Sequence, residues 1–303
     1  MCSSDLVQLL PLLEAIGHPL ARDRRAFEER YCQGHWRDQG GRRIWQASGA
    51  SHLEELQRLL RPLLLHRRKE QCLDLPPKQR VLVPVTLEPP AADRFEARLQ
   101  RCVDDYRLRA GRGEVRRDAE ALAVLTALRR IGSRAKLPRA RELVTDLLAR
   151  DGSVVVFTAF VPTARLLHRA MGGELRAVLL TGSVPPTSRQ ALVDRFQSGE
   201  VPLLIATYGT GGLGFTLHRA RHVVLLERPW TPGDAEQAED RCHRIGMGAM
   251  LTSHWIQLGV ADQLVDALIA GKEKQIAQVL RSRQERWRRG SLPVLVRELL
   301  ERW

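Results

Sequence analysis

Three side chains near residue 240 have the types and the spacing to act on a polyphosphate. Arg241 and Arg244 lie three residues apart, and Gln237 precedes the first of them by four. Residues at these spacings share one face of an α-helix, so we expect the three side chains to point the same way until Gly246 ends the helix. Because a guanidinium group is planar and permanently charged, a pair of them suits a phosphate whose negative charge grows during transfer. A solvated, arginine-rich helix face is the alternative.

The elements that must position these residues begin upstream, with an apolar run and a glycine-rich segment. Residues 203–207 predict a buried parallel strand, which leads into a segment that contains Gly211, Gly212 and Gly214. Glycine allows positive φ angles and close approach of the backbone, as a loop that contacts phosphate requires. A dinucleotide site is a poor alternative, because the glycines lack the Gly-x-Gly-x-x-Gly register in the right place and no ribose-binding acid follows.

Further apolar runs extend this pattern along the chain. They span residues 153–160, 220–227 and 253–258, and predicted helices separate them. A chain that alternates strands with helices forms a parallel sheet with right-handed crossovers. The sequence therefore predicts an α/β fold with a doubly wound parallel sheet over residues 151–280.

The order of these features resembles the C-terminal half of the Swi/Snf-type, superfamily-two DNA translocases. A strand, the glycine segment, a second strand, a Trp-x-Pro turn at residues 230–232 and the arginine segment follow one another as in that family. Residues 27–32 and 237–241 look most like the branch that contains the annealing helicases. The resemblance implies a RecA-like second helicase lobe with a mainly helical N-terminal extension.

The resemblance also implies roles at a nucleotide cleft. Arg241 and Arg244 would be arginine fingers on the γ-phosphate of ATP, and Gln237 would assist at the same cleft. The loop at residues 211–214 would couple the state of the nucleotide to DNA. The resemblance therefore implies an ATP-dependent motor.

A second set of residues would hold the DNA. In the family, residues at the positions of Thr158, Thr181, Gly182 and Thr207 contact the backbone of the tracked strand. The implied partner is double-stranded or forked DNA.

The sequence lacks the phosphate-binding features of a complete motor. It holds no Gly-x-x-x-x-Gly-Lys-Ser/Thr segment and no apolar run that ends in Asp-Glu. We therefore expect ATP with Mg²⁺ to be bound mainly by a missing first lobe, no metal site in this chain, and no ATPase activity of the chain alone. A separate first-lobe polypeptide would complete the motor. The alternative is a non-catalytic DNA- or partner-binding module, a truncated relic that keeps the fold of the lobe.

Composition is consistent with a polyanionic partner. The formal net charge is +13, although only five of the 48 basic residues are lysines, a bias that a GC-rich genome also produces. The five cysteines are scattered without a Cys-x-x-Cys pair, which argues against a disulfide framework and a zinc site. No run is long enough for a membrane helix, so we expect a cytoplasmic protein, associated with the nucleoid in a bacterium.

The predicted organisation has four parts. The first is a helical remnant of the end of the first lobe, with a glycine-rich turn between helices at residues 33–41. A helical linker, the RecA-like lobe and a helical tail follow. The predicted ranges are 1–79, 80–150, 151–280 and 281–303.

Overall fold

The computed structural model describes residues 6–39, 41–47, 49–63, 69–111, 117–173, 176–211, 214–229, 232–259 and 262–263. The chain forms two compact units. Among these residues, the first unit is built from 6–72 and takes in 232–233, and the second unit is built from 73–263 without those two.

Helices form the core of the first unit. They comprise 3-10 helices at Leu6–Gln8 and Pro19–Ala21, and α1 (Leu9–Ala15), α2 (Arg24–Cys32), α3 (Leu53–Leu60) and α4 (Lys69–Cys72). Helix α2 begins where the Asp23 side chain accepts a hydrogen bond from the Ala26 backbone N–H over 2.9 Å, as a helix N-cap does. One turn apart on α2, Phe27 and Tyr31 pack with Leu56 of α3 and with α1 in the apolar core.

A β-hairpin takes the place of the predicted glycine-rich turn, so that prediction is wrong. Strand β1 (His35–Gln39) pairs antiparallel with β2 (Arg42–Gln46). Gln39 pairs with Arg42, and the two residues between them in the sequence are both glycine. Two consecutive glycines between strands are a hairpin signal. Because the flanking strands carry more charged than apolar residues, no alternating pattern accompanies that signal in the sequence.

The second unit is built on a parallel sheet of six strands in the described residues. The strands are β3 (Lys78–Pro84), β4 (Val154–Thr158), β5 (Ala177–Leu180), β6 (Leu203–Thr207), β7 (His222–Leu225) and β8 (Leu251–Gln257). Their order across the sheet is β3-β8-β7-β4-β6-β5, and every neighbouring pair is parallel. The predicted α/β class with a parallel sheet is confirmed.

Helices cover both faces of this sheet. The described helices that follow β3 along the chain are α5 (Ala91–Gly111), α6 (Arg117–Ala135), α7 (Leu137–Asp151), α8 (Val161–Ala170), α9 (Pro186–Ser198), α10 (Tyr208–Gly211) and α11 (Pro232–Glu239). Side chains of β4 alternate between two buried clusters, because successive residues of a strand point to opposite faces. Val154 and Val156 pack with α7 and α8, whereas Val155 and Phe157 pack with α9 and α11. The sheet is therefore doubly wound.

Strand β3 departs from the predicted organisation, because residues 80–84 belong to the sheet and not to a helical linker. It pairs with β8 at the edge of the sheet. Most of its side chains are at least partly exposed, and of the strand only Val83 is buried. An edge strand of this kind lacks the buried apolar run that identified the central strands.

Two predicted segments fall at or beyond the limit of the described residues. The end of the predicted lobe, from residue 260 to residue 280, is described only at 262–263, and the predicted tail at residues 281–303 lies outside the described residues. In the part of the chain that the structure describes, no helix is long and apolar enough to cross a membrane.

Candidate functional site

The three threonines predicted to bind DNA lie at one edge of the sheet. Thr158 ends β4 and is in register with Thr207, which ends β6. Thr181 follows β5, whose last residue Leu180 is in register with Ala206 of β6. Because the carboxyl ends of parallel strands lie at the same edge of a sheet, the structure brings the three threonines together, and ligands commonly bind at this edge.

Internal hydrogen bonds hold the hydroxyl groups of these threonines. Thr158 is fully buried, and its Oγ1 donates to Oε2 of Glu227 over 2.7 Å. The Oγ1 atoms of Thr207 and Thr181, which are also buried, lie within 3.0 Å of neighbouring hydroxyl oxygens. These hydroxyl groups stabilise the edge of the sheet, and their contact with DNA phosphates stays a prediction.

The turn after β5 is the exposed part of this edge. Gly182 is exposed, and a Cβ atom added there would meet no atom within 4 Å. Ser183 beside it is exposed, and its Oγ accepts a hydrogen bond of 3.5 Å from Nη2 of Arg165 on α8. An exposed backbone turn next to a guanidinium group suits a nucleic-acid phosphate. The sequence reasoning missed Arg165, whose only signal is its position on the helix that follows Thr158.

Glu227 organises the same edge, and the sequence reasoning missed it as well. It is almost fully buried two residues after β7. Its Oε2 accepts hydrogen bonds from the Thr158 hydroxyl over 2.7 Å and from the Ala159 backbone N–H over 2.8 Å. Its Oε1 accepts from the Ser133 hydroxyl of α6. One carboxylate therefore links α6 to the ends of β4 and β7.

Lys136 forms a second buried polar centre at the junction of α6 and α7. Its Nζ donates to the backbone carbonyl of Leu226 over 2.9 Å and lies 2.6 Å from Oδ2 of Asp262. Burial lowers the pKa of Lys136, and the charge of Asp262 opposes that change. The signal in the sequence is that Lys136 is one of five lysines in an arginine-rich chain.

The predicted glycine loop begins as one turn of helix. After β6 the chain forms α10, which includes Gly211, and Gly212 lies outside the described residues. Gly214 is exposed with φ of +85°, a conformation that glycine adopts without steric cost. Three residues later, the Leu217 backbone N–H donates to the Arg241 carbonyl over 2.7 Å. This segment therefore joins the threonine edge to the arginine pair.

The arginine pair does not lie on a helix, so the predicted single helix face is wrong. Helix α11 ends at Glu239, and turns follow. Two backbone carbonyls that would accept the next hydrogen bonds of the helix are bound by other donors. The Arg241 carbonyl accepts from the Leu217 backbone N–H, and the Asp240 carbonyl accepts from Nε of Arg244 over 3.0 Å. Because these contacts come from distant residues and side chains, helical spacing could not predict them.

Arg241 and Arg244 nevertheless lie close enough to influence each other. Arg241 is 6% exposed, and Arg244 is partly buried, with its Nη1 donating to Oγ1 of Thr216 over 3.1 Å. Burial lowers the pKa of Arg241, and the charge of Arg244 lowers it further. Two neighbouring cations with restricted hydration suit a polyanion. The predicted helper Gln237 is exposed on α11, unlike the buried Arg241.

Glu239 anchors the start of the arginine segment. Its carboxylate is fully buried, and Arg80 and Lys78 of β3 lie 2.9 and 3.2 Å from its oxygens. The Trp255 indole N–H also donates to Glu239, over 3.0 Å. Burial alone would raise the pKa of Glu239, but the hydrogen bond and charge of Arg80 and the charge of Lys78 lower it. The edge strand β3 therefore fixes the end of α11.

Comparison with known proteins gives matches over most of this chain. Residues 136–246 match the family described as helicase conserved C-terminal domain. Mouse DNA annealing helicase and endonuclease ZRANB3 is 31% identical over 271 residues, 86% of this chain and 24% of that protein. Putative ATP-dependent helicase/translocase YwqA of Bacillus subtilis is 30% identical over 288 residues, 86% of this chain and 29% of that protein. The chain thus spans about a quarter of the length of these curated relatives.

A solved structure shares the fold. The Sulfolobus solfataricus SWI2/SNF2 ATPase core in complex with dsDNA matches with a TM-score of 0.53 at 22% identity. The match covers 84% of this chain and 56% of that one. The parallel sheet with its flanking helices is therefore that of a RecA-like SWI2/SNF2 lobe.

Proposed function

This chain is a C-terminal helicase lobe that belongs to the Swi/Snf-type, superfamily-two helicases, and we propose that it supplies the arginine fingers of a DNA-dependent ATPase. The phosphate-binding loop and the acidic pair of that ATPase would lie on a first lobe outside these 303 residues. The observation that carries the proposal is the close pair Arg241 and Arg244 beside a segment that starts at the threonine edge.

The arginine pair fits a nucleotide phosphate. ATP bound with Mg²⁺ on a first lobe would supply the phosphoanhydride bond that is hydrolysed. Arg241 and Arg244 would bind γ-phosphate oxygens and stabilise the charge that develops on them. Glu239 would act as a positioning residue, since its ion pairs with β3 hold the backbone two residues before Arg241. Gln237, exposed on α11, would assist from the side of the other lobe.

The carboxyl edge of the sheet would hold the DNA backbone. Gly182 gives a phosphate access to an exposed turn, and Arg165 adds a positive charge beside it. Beneath this turn, the hydrogen-bonded Thr158, Thr181 and Thr207 would keep the edge rigid. Duplex or forked DNA is the proposed partner, and the similar archaeal SWI2/SNF2 core, which was solved in complex with dsDNA, supports this choice.

The segment between these two sites would couple them. It starts at Thr207 on the DNA-facing edge, passes the left-handed Gly214 and bonds to the carbonyl of Arg241 through Leu217. A displacement of the arginines on hydrolysis would therefore move the backbone that leads to the DNA-facing edge. Hydrogen bonds hold both ends of this segment: the Thr207 hydroxyl bonds to that of Thr210, and the Leu217 backbone N–H bonds to the Arg241 carbonyl.

Reconstitution tests this function. We expect ATP hydrolysis only when the chain is mixed with a Swi/Snf-family first lobe, with stimulation by duplex DNA. Arg241→Ala should reduce turnover in the mixture by about 10³–10⁵-fold, as loss of an arginine finger does. Arg139→Ala, which removes an exposed guanidinium from α7, is the matched control and should leave turnover unchanged.

Other results would contradict the proposal in distinct ways. Full turnover by the Arg241→Ala mixture would remove the assigned role of the arginine. Hydrolysis by the chain alone would reveal a phosphate site within it. DNA affinity without any hydrolysis in the mixture, unaltered by ATP, would establish a non-catalytic binding module instead.

A further inference from the structure

The hairpin of the first unit has one face that combines tryptophan with arginine. Trp36 of β1 and Trp45 of β2 are paired in register, and their ring centroids lie 5.5 Å apart. Arg43 is on the same face as Trp45, because residues two apart in a strand point the same way. Helix α2 adds Arg25, whose guanidinium carbon lies 4.5 Å from the Trp36 ring centroid and 4.1 Å from that of Trp45. We define these four residues as the tryptophan face.

The two tryptophans differ in what holds them. The Trp45 indole N–H donates to Oε2 of the buried Glu28 over 2.5 Å. Its ring packs so closely on Gly34 that an added Cβ there would lie 2.4 Å from it. Trp45 therefore docks the hairpin on α2. Trp36 is 46% exposed, so a large part of its ring faces solvent.

Two guanidinium groups and two carboxylates surround the exposed ring. Arg25 covers part of the Trp36 ring, and the Arg43 guanidinium carbon lies 5.7 Å from its centroid. Glu29, one turn along α2, lies 3.9 Å from Arg25 and offsets part of that charge. Asp38 is in register opposite Arg43 on the same face, but its Oδ1 accepts a hydrogen bond from the Gly41 backbone N–H over 3.1 Å. An exposed indole beside two guanidinium groups offers a stacking surface and phosphate partners in the same place.

We infer that the tryptophan face binds single-stranded DNA, with an unpaired base stacked on Trp36 and the adjacent phosphates bound by Arg25 and Arg43. An unpaired strand is favoured over a duplex because base faces inside a duplex are covered by their neighbours, whereas those of a single strand are free to stack. A nucleic acid is favoured over an apolar partner because cations border the exposed ring and the chain carries a formal charge of +13. The inference does not depend on the arginine-finger proposal, which concerns the other unit.

The opposite face of the hairpin provides matched controls. Ile44 is 48% exposed and neighbours Trp45 in sequence, so it points to the other side of the ribbon. Arg37 is likewise adjacent to Trp36 and lies on that opposite face, with its Nη1 3.5 Å from Oε1 of Gln46. Substitution of Ile44 removes an exposed apolar side chain, as a control for Trp36, and substitution of Arg37 removes a guanidinium group, as a control for Arg43. Neither substitution changes the tryptophan face.

The test is the affinity of the whole chain for fluorescein-labelled oligo(dT), measured by anisotropy beside a labelled duplex. We expect Trp36→Ala to weaken oligo(dT) binding by about tenfold, the effect of losing one base–aromatic stack, and Trp36→Phe to retain most of the affinity. Arg43→Ala should weaken it more than Arg37→Ala does, and Ile44→Ala should leave it unchanged. All of these variants should fold, because the substituted side chains are exposed: Trp36, Arg37, Arg43 and Ile44. Circular dichroism would verify this.

The duplex arm separates this inference from the proposed function. Arg165→Ala, at the carboxyl edge of the sheet, should weaken duplex binding more than Trp36→Ala does, and should weaken oligo(dT) binding less than Trp36→Ala does. Equal oligo(dT) affinity for the Trp36→Ala and unaltered chains would overturn the inference. It would also be overturned by an equal loss with duplex and single strand, or by stronger binding of oligo(U) than of oligo(dT), which would identify RNA as the ligand.

Discussion

At the carboxyl edge of the sheet, Glu227 accepts hydrogen bonds from the Thr158 and Ser133 hydroxyls and from the Ala159 backbone. Glu227→Ala would leave these donors buried without their acceptor. An unsatisfied buried donor costs on the order of 1–3 kcal/mol, so we expect the free energy of unfolding to fall by about 3 kcal/mol or more. Thermal unfolding followed by circular dichroism should show a clearly lower midpoint.

Glu236→Ala is the control for that prediction, because Glu236 is an exposed glutamate of α11. A surface substitution of this kind changes stability by no more than about 0.5 kcal/mol. If both variants melted at the temperature of the unaltered chain, Glu227 would have no organising role at this edge.

His254 makes the second unit sensitive to acid. Its Nε2 lies 3.1 Å from Nδ1 of His222, whose Nε2 lies 2.7 Å from Oδ2 of Asp151. Burial and the charges of His222 and Arg150 lower the pKa of His254 from 6.5 to about 4. The unfolded chain therefore takes up a proton as the pH falls below 6.5, whereas the folded chain takes it up only near pH 4. Stability should be lost across this window, with no contribution from His254 above it.

Neighbouring groups do not reverse the sign of this effect. Arg221 and Arg150 lie within 4.0 Å of Asp151 and add positive charge. The hydrogen bond from His222 lowers the pKa of Asp151 below 3.8, so the contribution of that carboxylate is lost only at lower pH. Thermal midpoints measured from about pH 7 to about pH 4 should fall less for His254→Gln than for the control His35→Gln, an exposed histidine of the hairpin. Identical pH profiles would show that another group controls the acid response.

Among the elements, the segment from α10 to Leu217 depends on the backbone conformation of Gly214. An alanine there has space, since no atom lies within 4 Å of the added Cβ, but φ is +85°. A side chain in this left-handed conformation costs about 1 kcal/mol. We expect Gly214→Ala to lower the free energy of unfolding of the second unit by about 1 kcal/mol and to lower its thermal midpoint correspondingly.

Gly209→Ala is the matched control within the same segment. Gly209 lies in α10 with no atom within 4 Å of an added Cβ and no positive φ. Alanine is favoured over glycine in a helix by roughly 0.5–1 kcal/mol, so this variant should be neutral or slightly more stable. An equal loss for both glycines would mean that the space around the segment is limiting, and not its φ angles.

The sequence predicts some of these elements and cannot predict others. Strands β4 and β6 are fully buried apolar runs, so they are recognisable without any neighbour. Strand β3 is an exposed edge that is strand only because β8 pairs with it. The end of α11 is set by a hydrogen bond from Leu217 and by ion pairs from β3, which local spacing does not encode.

Across the whole molecule, some parts of the candidate sites could be predicted from the sequence and others could not. The family resemblance grouped Thr158, Thr181 and Thr207, and they lie together because the carboxyl ends of parallel strands share one edge of the sheet. Glu227, Lys136 and Arg165 could not, since each is defined by partners on other elements. The formal charge of +13 predicts a polyanion without locating it.

In the proposed function, this chain recognises the transferring phosphate of a nucleotide held by another lobe. The most direct measurement is its affinity for a Swi/Snf-family first lobe loaded with Mg²⁺, ADP and aluminium fluoride, which mimics that phosphate in transfer, compared with ADP alone. We predict binding tighter by about tenfold or more with the mimic, and loss of this difference in Arg241→Ala. Equal affinity of the unaltered chain in both nucleotide states would mean that it does not recognise the transferring phosphate.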